Sequence, residues 1–289
     1  MVRNKIAAVI GQCRFFVLPL GFLAIMSGHI LAENYSLVLL FWTSLSFVFV
    51  HIFMASVNNT YDVKFDRVSI IMSNTNPIVS GELTLQEAKI INLTTLLLAL
   101  ITSVFAGFYW IVLIIIGIGL VMIYDLQPVR MKDRPLGILI PPLYLALPFL
   151  FSYVNATSSF TFPPSFFLIF LFLFINGVTA VRHIPDLERD VEMDVQNFTT
   201  RYKVVATRNL ELIVSIVLPA ILVVAIMLGL LSIVGFPILL LATIFRVNLL
   251  TKPQEALKDP RVWERFAQLM VINSTSILLS ITAKVFSWI

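Results

Sequence analysis

Apolar residues run along this chain in long blocks, and the charged residues collect between them. Blocks near the about 20 residues that cross a bilayer occupy 8–31, 36–57, 89–107, 109–124, 136–154, 164–182, 211–229, 231–247 and 266–288. Their lengths predict an all-α membrane protein, a bundle of about nine transmembrane helices. No linker or low-complexity tract divides it, so residues 1–289 read as a single membrane domain. The first block is too long for a cleaved leader, carries Arg14 and ends without a small-residue cleavage site.

Composition agrees with this pattern. Of 289 residues, 59% are hydrophobic and only 12% charged, about half the charge of a soluble domain. With nine spans, the N-terminus and the segments 58–88, 125–135, 183–210 and 248–265 share one side. With Arg14, Arg182 and Arg246 assigned to that side as span-end charges, along with Lys89 and Glu211 at the first positions of their blocks, it holds every Lys and Arg except Lys284, and every acidic residue except Glu33. The positive-inside rule makes that face cytoplasmic in a multi-pass protein of the cell membrane. The net charge of +4 therefore belongs to one membrane face, and nucleic acid is not an expected partner. The single cysteine, Cys13, excludes an internal disulfide and a cysteine-based metal site.

Two acidic stretches interrupt this economy of charge, "NNTYDVKFD" (58–66) after the second block and "DLERDVEMD" (186–194) after the sixth. On a helix, positions four apart lie on one stripe. Asn58, Asp62 and Asp66 should therefore line up, and so should Asp186, Asp190 and Asp194, below a kink at Pro185. Like charges at this spacing repel unless cations neutralise them. Oxygen-only ligands at two such sites suit Mg²⁺, which keeps waters and bridges carboxylates to substrate phosphates. Even two such ions leave the carboxylates plus a diphosphate negative, so nearby basic side chains should help. The candidates are Arg67, Arg130, Lys132, Arg182, Arg189, Arg201 and Lys203.

These residues resemble the UbiA superfamily of intramembrane prenyltransferases. Its N-x-x-x-D-x-x-x-D signature is Asn58–Asp62–Asp66, and its second acidic motif is Asp186–Asp190–Asp194. A Tyr, a Pro and R-x-K appear in "YDLQPVRMK" as Tyr124, Pro128, Arg130 and Lys132. The resemblance implies a bundle whose cytoplasm-facing mouth binds an allylic prenyl diphosphate through Mg²⁺. Asn58, Asp62 and Asp66 would hold one ion, and Asp186 and Asp190, with Asp194 close by, the other. Arg130 and Lys132 would meet the diphosphate, with Tyr124 near the allylic carbon. Arg67, Arg182, Lys203 and Arg14 are further candidates for substrate binding. The prenyl group would pass to a lipophilic acceptor in the bilayer, a quinone precursor or a carotenoid such as lycopene.

Two runs depart from the family pattern. "NTNPIVSGE" places Asn76 and Glu82 where arginines are expected, and "NFTTRYK" (197–203) lacks the Gly-Lys of a G-K-x-T run. Two other readings use spaced acids. A CDP-alcohol phosphotransferase would open on D-G-x-x-A-R, which is absent. A cation transporter would place its carboxylates near the mid-membrane rather than at span ends.

Overall fold

The computed structural model describes residues 5, 8–10, 17–68, 76–159, 181 and 183–286. Every long element among them is helical. Six helices are long and apolar enough to span a membrane: 37–61, 85–106, 108–125, 135–157, 198–227 and 233–250. The first and last expected spans appear as shorter apolar helices, 18–31 and 271–285. The expected span at 164–182 falls outside the described residues apart from Val181, as do Cys13, Arg14 and Arg182. The chain is an integral membrane protein with at least these six candidate spans.

Two compact units are formed, one from Met1–Pro19 with Leu37–Met131 and one from Leu20–Ser36 with Lys132–Ile289. In the first unit, α2 is Leu37–Tyr61, α3 the short Val63–Asp66, α4 Leu85–Ala106 and α5 Phe108–Asp125; α1, Leu18–Leu31, lies almost wholly in the second. Helix α4 starts at a capping box in which Thr84 Oγ1 accepts from the Glu87 amide and Glu87 returns a bond to the Thr84 amide. Its buried positions Ala88, Thr95, Ala99, Thr102, Ser103 and Ala106 recur every three or four residues. That stripe of small side chains brings α2 close, and Ser46 Oγ donates to the Ala99 carbonyl at 3.1 Å. The opposite face, with Leu93, Leu97, Ile101 and Val104, is exposed, as suits a lipid-covered surface. Gly107, at φ 115°, lets the chain break between α4 and α5 where a side chain would be strained. Asn92 Nδ2 donates to Thr60 Oγ1 at 3.3 Å, a link between α4 and α2.

The second unit adds α6 (Ile140–Thr157), α7 (Leu187–Glu192), α8 (Phe198–Met227), α9 (Phe236–Leu250), α10 (Gln254–Leu257) and α11 (Pro260–Val285). Prolines at the first turns of α6, α9 and α11 cost no hydrogen bond there. Gly28 of α1 meets the backbone of α6, where an added Cβ would overlap the Phe149 carbonyl. Gly235, before α9, sits equally tight against Ser276 and Ser280 of α11, and its amide donates to Ser280 Oγ at 3.1 Å. Arg246 was assigned as a span-end charge. It is fully buried with Glu211 of α8, its Nε donating to Glu211 Oε1 at 3.0 Å. A charge inside a bundle is retained only when paired, and this partner lies 35 residues away in sequence.

Candidate active site

The aspartate line of the first unit forms as the spacing predicts. Helical dihedrals lapse at Asp62 (φ −94°, ψ 1°), yet the ladder continues. The Asp62 amide donates to the Asn58 carbonyl at 2.9 Å and the Asp66 amide to the Asp62 carbonyl at 2.8 Å. Asn58, Asp62 and Asp66 thus stay in line as α2 gives way to α3.

Their side chains are tied on all sides. Asn58 Nδ2 donates to Asp62 Oδ2 at 2.9 Å and to Asp125 Oδ1 at 2.7 Å. Asp62 Oδ1 accepts from Arg130 Nη2 at 2.7 Å. The Arg130 guanidinium is buried, lies 4.4 Å over the Phe65 ring and reaches the Tyr61 carbonyl at 3.4 Å. Its backbone is left-handed (φ 35°), with the amide bonded to the Leu126 carbonyl at 2.7 Å. A non-glycine residue in this conformation stores strain that surrounding contacts must offset. Asp66 is 4% exposed, and its Oδ2 accepts from Asn76 Nδ2 at 2.7 Å.

The second unit holds its own pair. The Asp190 amide donates to the Asp186 carbonyl at 2.9 Å, so both lie on one line at the start of α7. Arg189 spans them, with Nη1 3.2 Å from Asp186 Oδ1 and Nη2 2.6 Å from Asp190 Oδ1. Asp190 Oδ2 accepts from Asn197 Nδ2 at 2.7 Å.

Asp194 does not join this line, which corrects the three-membered stripe. Helix α7 ends at Glu192, and Asp194 takes a left-handed backbone (φ 54°) that turns its side chain off the helical row. Its amide returns to the Val191 carbonyl and the Val195 amide to the Asp190 carbonyl, the closing bonds of a helix C-terminus. Its carboxylate is exposed and accepts from Gln196 Nε2 at 3.0 Å. Asp194 takes a left-handed backbone that favours glycine, and Asn197, three residues on, caps α8.

Of the other expected residues, Tyr124 is buried in the last turn of α5 and Lys132 is half-buried on the turn Met131–Asp133. Arg67 is exposed at the end of α3. Lys203 is exposed and breaks α8 with φ 69°. Arg14 and Arg182 lie outside the described residues. His51 is buried and stacked on Phe47. Three polar residues escaped the sequence reading: Asp125, Asn76 as a partner of Asp66, and Asn197. Asp125 could have been found as a lone acid closing an apolar helix, since such a charge needs a purpose. Among the described residues no three His, Cys, Asp or Glu gather to hold a metal; each unit brings two aspartates.

The UbiA prenyltransferase family matches residues 15–273. No curated protein matches the chain by sequence. Among solved structures, a digeranylgeranylglyceryl phosphate synthase is similar, with TM-score 0.72 and 17% identity over 96% of this chain and 99% of that one. A UbiA homologue from Archaeoglobus fulgidus bound to DMAPP and Mg²⁺ gives 0.70 and 17% over 94% and 99%. An apo UbiA homologue from Aeropyrum pernix K1 gives 0.76 and 14% over 92% and 97%. Identities this low speak for the fold, and the family match covers most of the chain. The chain belongs to the UbiA prenyltransferase family.

Proposed function

We propose that the chain is a Mg²⁺-dependent intramembrane prenyltransferase that moves an isoprenyl group from an allylic prenyl diphosphate to a lipophilic acceptor. One observation carries this reading. Each unit presents two aspartates four residues apart on a continuous ladder, the further one buried, at the end of an apolar segment. The Archaeoglobus homologues of the same fold bind DMAPP or GPP with Mg²⁺, which supports it.

The donor set fits the ion. Mg²⁺ takes one or two carboxylates and completes its shell with waters and substrate phosphates, so two aspartates per cluster are enough. Asn58, Asp62 and Asp66 would hold one ion, and Asp186 and Asp190 the other. Asn58 Nδ2 donates to two carboxylates, so Oδ1 would be the atom through which Asn58 meets a cation. Asp194 stands outside this set as an exposed residue. When bound, the metal supplies Lewis-acid withdrawal of charge from the departing diphosphate.

Arg130 and Lys132 supply positive charge to the diphosphate. Arg130 is aimed by Asp62 and by the Phe65 face, so little orientational freedom is lost on binding. Arg67 and Lys203, both exposed, are further contacts for it. The aromatic face of Tyr124 stabilises positive charge at the allylic carbon. Apolar helices around the prenyl chain exclude water that would quench that carbon. The distribution of Lys and Arg supports a cytoplasmic placement of the acidic clusters.

The test is transfer itself. Purified protein in lipid vesicles is incubated with radiolabelled geranylgeranyl diphosphate and an extract of host membrane lipids. A labelled apolar product that disappears with EDTA and in Asp190→Asn supports the proposal. Product formation indifferent to both treatments contradicts it.

A further inference from the structure

Both units hold the buried aspartate of their cluster with a neutral amide built in the same way. In the first, Asn76 is fully buried; its Nδ2 donates to Asp66 Oδ2 at 2.7 Å and to the Asn59 carbonyl at 2.9 Å, while its Oδ1 accepts from the Ile78 amide at 3.0 Å. In the second, Asn197 is 2% exposed; its Nδ2 donates to Asp190 Oδ2 at 2.7 Å, while its Oδ1 accepts from the Thr200 amide at 3.0 Å and so caps α8. One asparagine sits in a turn and the other at a helix start. What they share is a carboxamide whose acceptor end is tied to the backbone, so that its donor end is aimed at a carboxylate.

Resting on the metal-dependent reading above, we infer that Asn76 and Asn197 are positioning residues, which orient Asp66 and Asp190 for the cation. Three features point this way. Each amide engages Oδ2, which fixes the plane of the carboxylate and the direction of Oδ1. Each is neutral, so it orients the ligand without contributing a positive charge that would compete with the metal. And each is buried and anchored at both ends, unlike Arg189, whose one-fifth-exposed side chain can swing off Asp190 when a cation arrives. Partners of this kind around a metal ligand are worth roughly 10- to 100-fold in metal affinity. The arginine-to-asparagine departure at 76 is, on this reading, a change of task. This loop supplies an orienting amide, and the diphosphate draws no cation from it.

A purely structural role would be to cap α8 and pin the 76–80 turn, and substitution at 197 separates the two. Serine and aspartate cap helices about as well as asparagine. Neither can donate to Asp190 in the same way: serine is too short, and aspartate offers a carboxylate. Full-length protein in detergent, with the non-hydrolysable geranylgeranyl S-thiolodiphosphate present, is titrated with Mn²⁺ and bound ion is read by electron paramagnetic resonance. Melting in EDTA is followed in parallel. The expected result is that Asn197→Ser melts near the parent, that Asn197→Asp melts lower because it sets a second buried carboxylate against Asp190, and that both bind Mn²⁺ about 10- to 100-fold more weakly, a loss the serine variant shows without a matching fall in melting temperature. Asn76→Ala should show the same loss. Parent-like Mn²⁺ binding in both substitutions at 197 overturns the inference, and so does weakening that only tracks a lower melting temperature. Absence of Mn²⁺ binding by the parent protein overturns the metal reading itself, and this inference with it.

Discussion

The buried ion pair between α8 and α9 offers the sharpest energetic test of the second unit. Glu211 and Arg246 are both fully buried, with Arg246 Nε 3.0 Å from Glu211 Oε1 and Nη2 bonded to the same oxygen. At that separation the attraction is about 5 kcal/mol for an effective dielectric constant near 20. Desolvation of two ions offsets most of this, so the pair contributes little net stability over an apolar pair of similar volume. Removing one partner is different, because the other charge is then buried alone at a cost of about 3–5 kcal/mol. Glu211→Gln and Arg246→Met should each destabilise by that amount. The double replacement Glu211→Leu with Arg246→Met should fall within about 1 kcal/mol of the parent. Thermal unfolding in a single detergent reads this out. At roughly 2–4 °C per kcal/mol, each single variant should melt about 6–20 °C lower and the double variant near the parent. Single variants that melt with the parent, or a double variant whose loss equals the sum of the two, would refute the reasoning.

The other expectations are briefer. Asp62→Ala should lower stability by about 3 kcal/mol, because Arg130 is left buried without its carboxylate. Asp62→Asn keeps the acceptor but not the charge, so it should be destabilised less than the alanine variant while losing metal-dependent diphosphate binding as fully; melting and binding of the two variants together separate the two roles. Gly235→Ala would drive a Cβ into Ser276 and Ser280 and should cost about 1–3 kcal/mol of overpacking, seen as a lower melting temperature. Lys258 donates to Glu188 at 2.7 Å, holding that carboxyl below its ordinary 4.5, while Glu188 holds the lysine above its ordinary 10.5. The carboxylate's contribution is complete above pH 4.5 and fades as the pH falls through its lowered value. The lysine's is complete below pH 10.5 and fades as the pH rises through its raised value. Hydrogen-exchange protection factors, corrected for the intrinsic pH dependence of exchange, should therefore be highest in 187–192 and 254–258 between those limits, and Lys258→Ala should abolish the dependence.

What could be read from the sequence followed from period and length. The apolar blocks marked the helices because a bilayer demands about 20 uncharged residues in each. The spacing of Asn58, Asp62 and Asp66 survived into the structure because the helical ladder runs on past Tyr61. Asp194 failed the same extrapolation. A helix end is set by where one residue turns left-handed, and an aspartate tolerates that conformation well enough to hide it. The pairings of Asn76, Asn197 and Asp125 were illegible for another reason. Their partners Asp66, Asp190 and Asn58 are chosen by tertiary approach of loop and helix ends, and spacing along the chain carries no sign of it. The pairing of Arg246 was hidden on the same ground, since its partner Glu211 belongs to another helix.

The central claim is that these aspartates bind a prenyl diphosphate through a divalent cation. The most direct measurement is equilibrium binding of geranylgeranyl S-thiolodiphosphate to the detergent-purified protein, with Mg²⁺ and with EDTA, alongside Asp190→Asn. The account expects saturable binding with Mg²⁺ that is lost in EDTA and in the variant. Binding that ignores both, or no binding with short- or long-chain analogues alike, would contradict it.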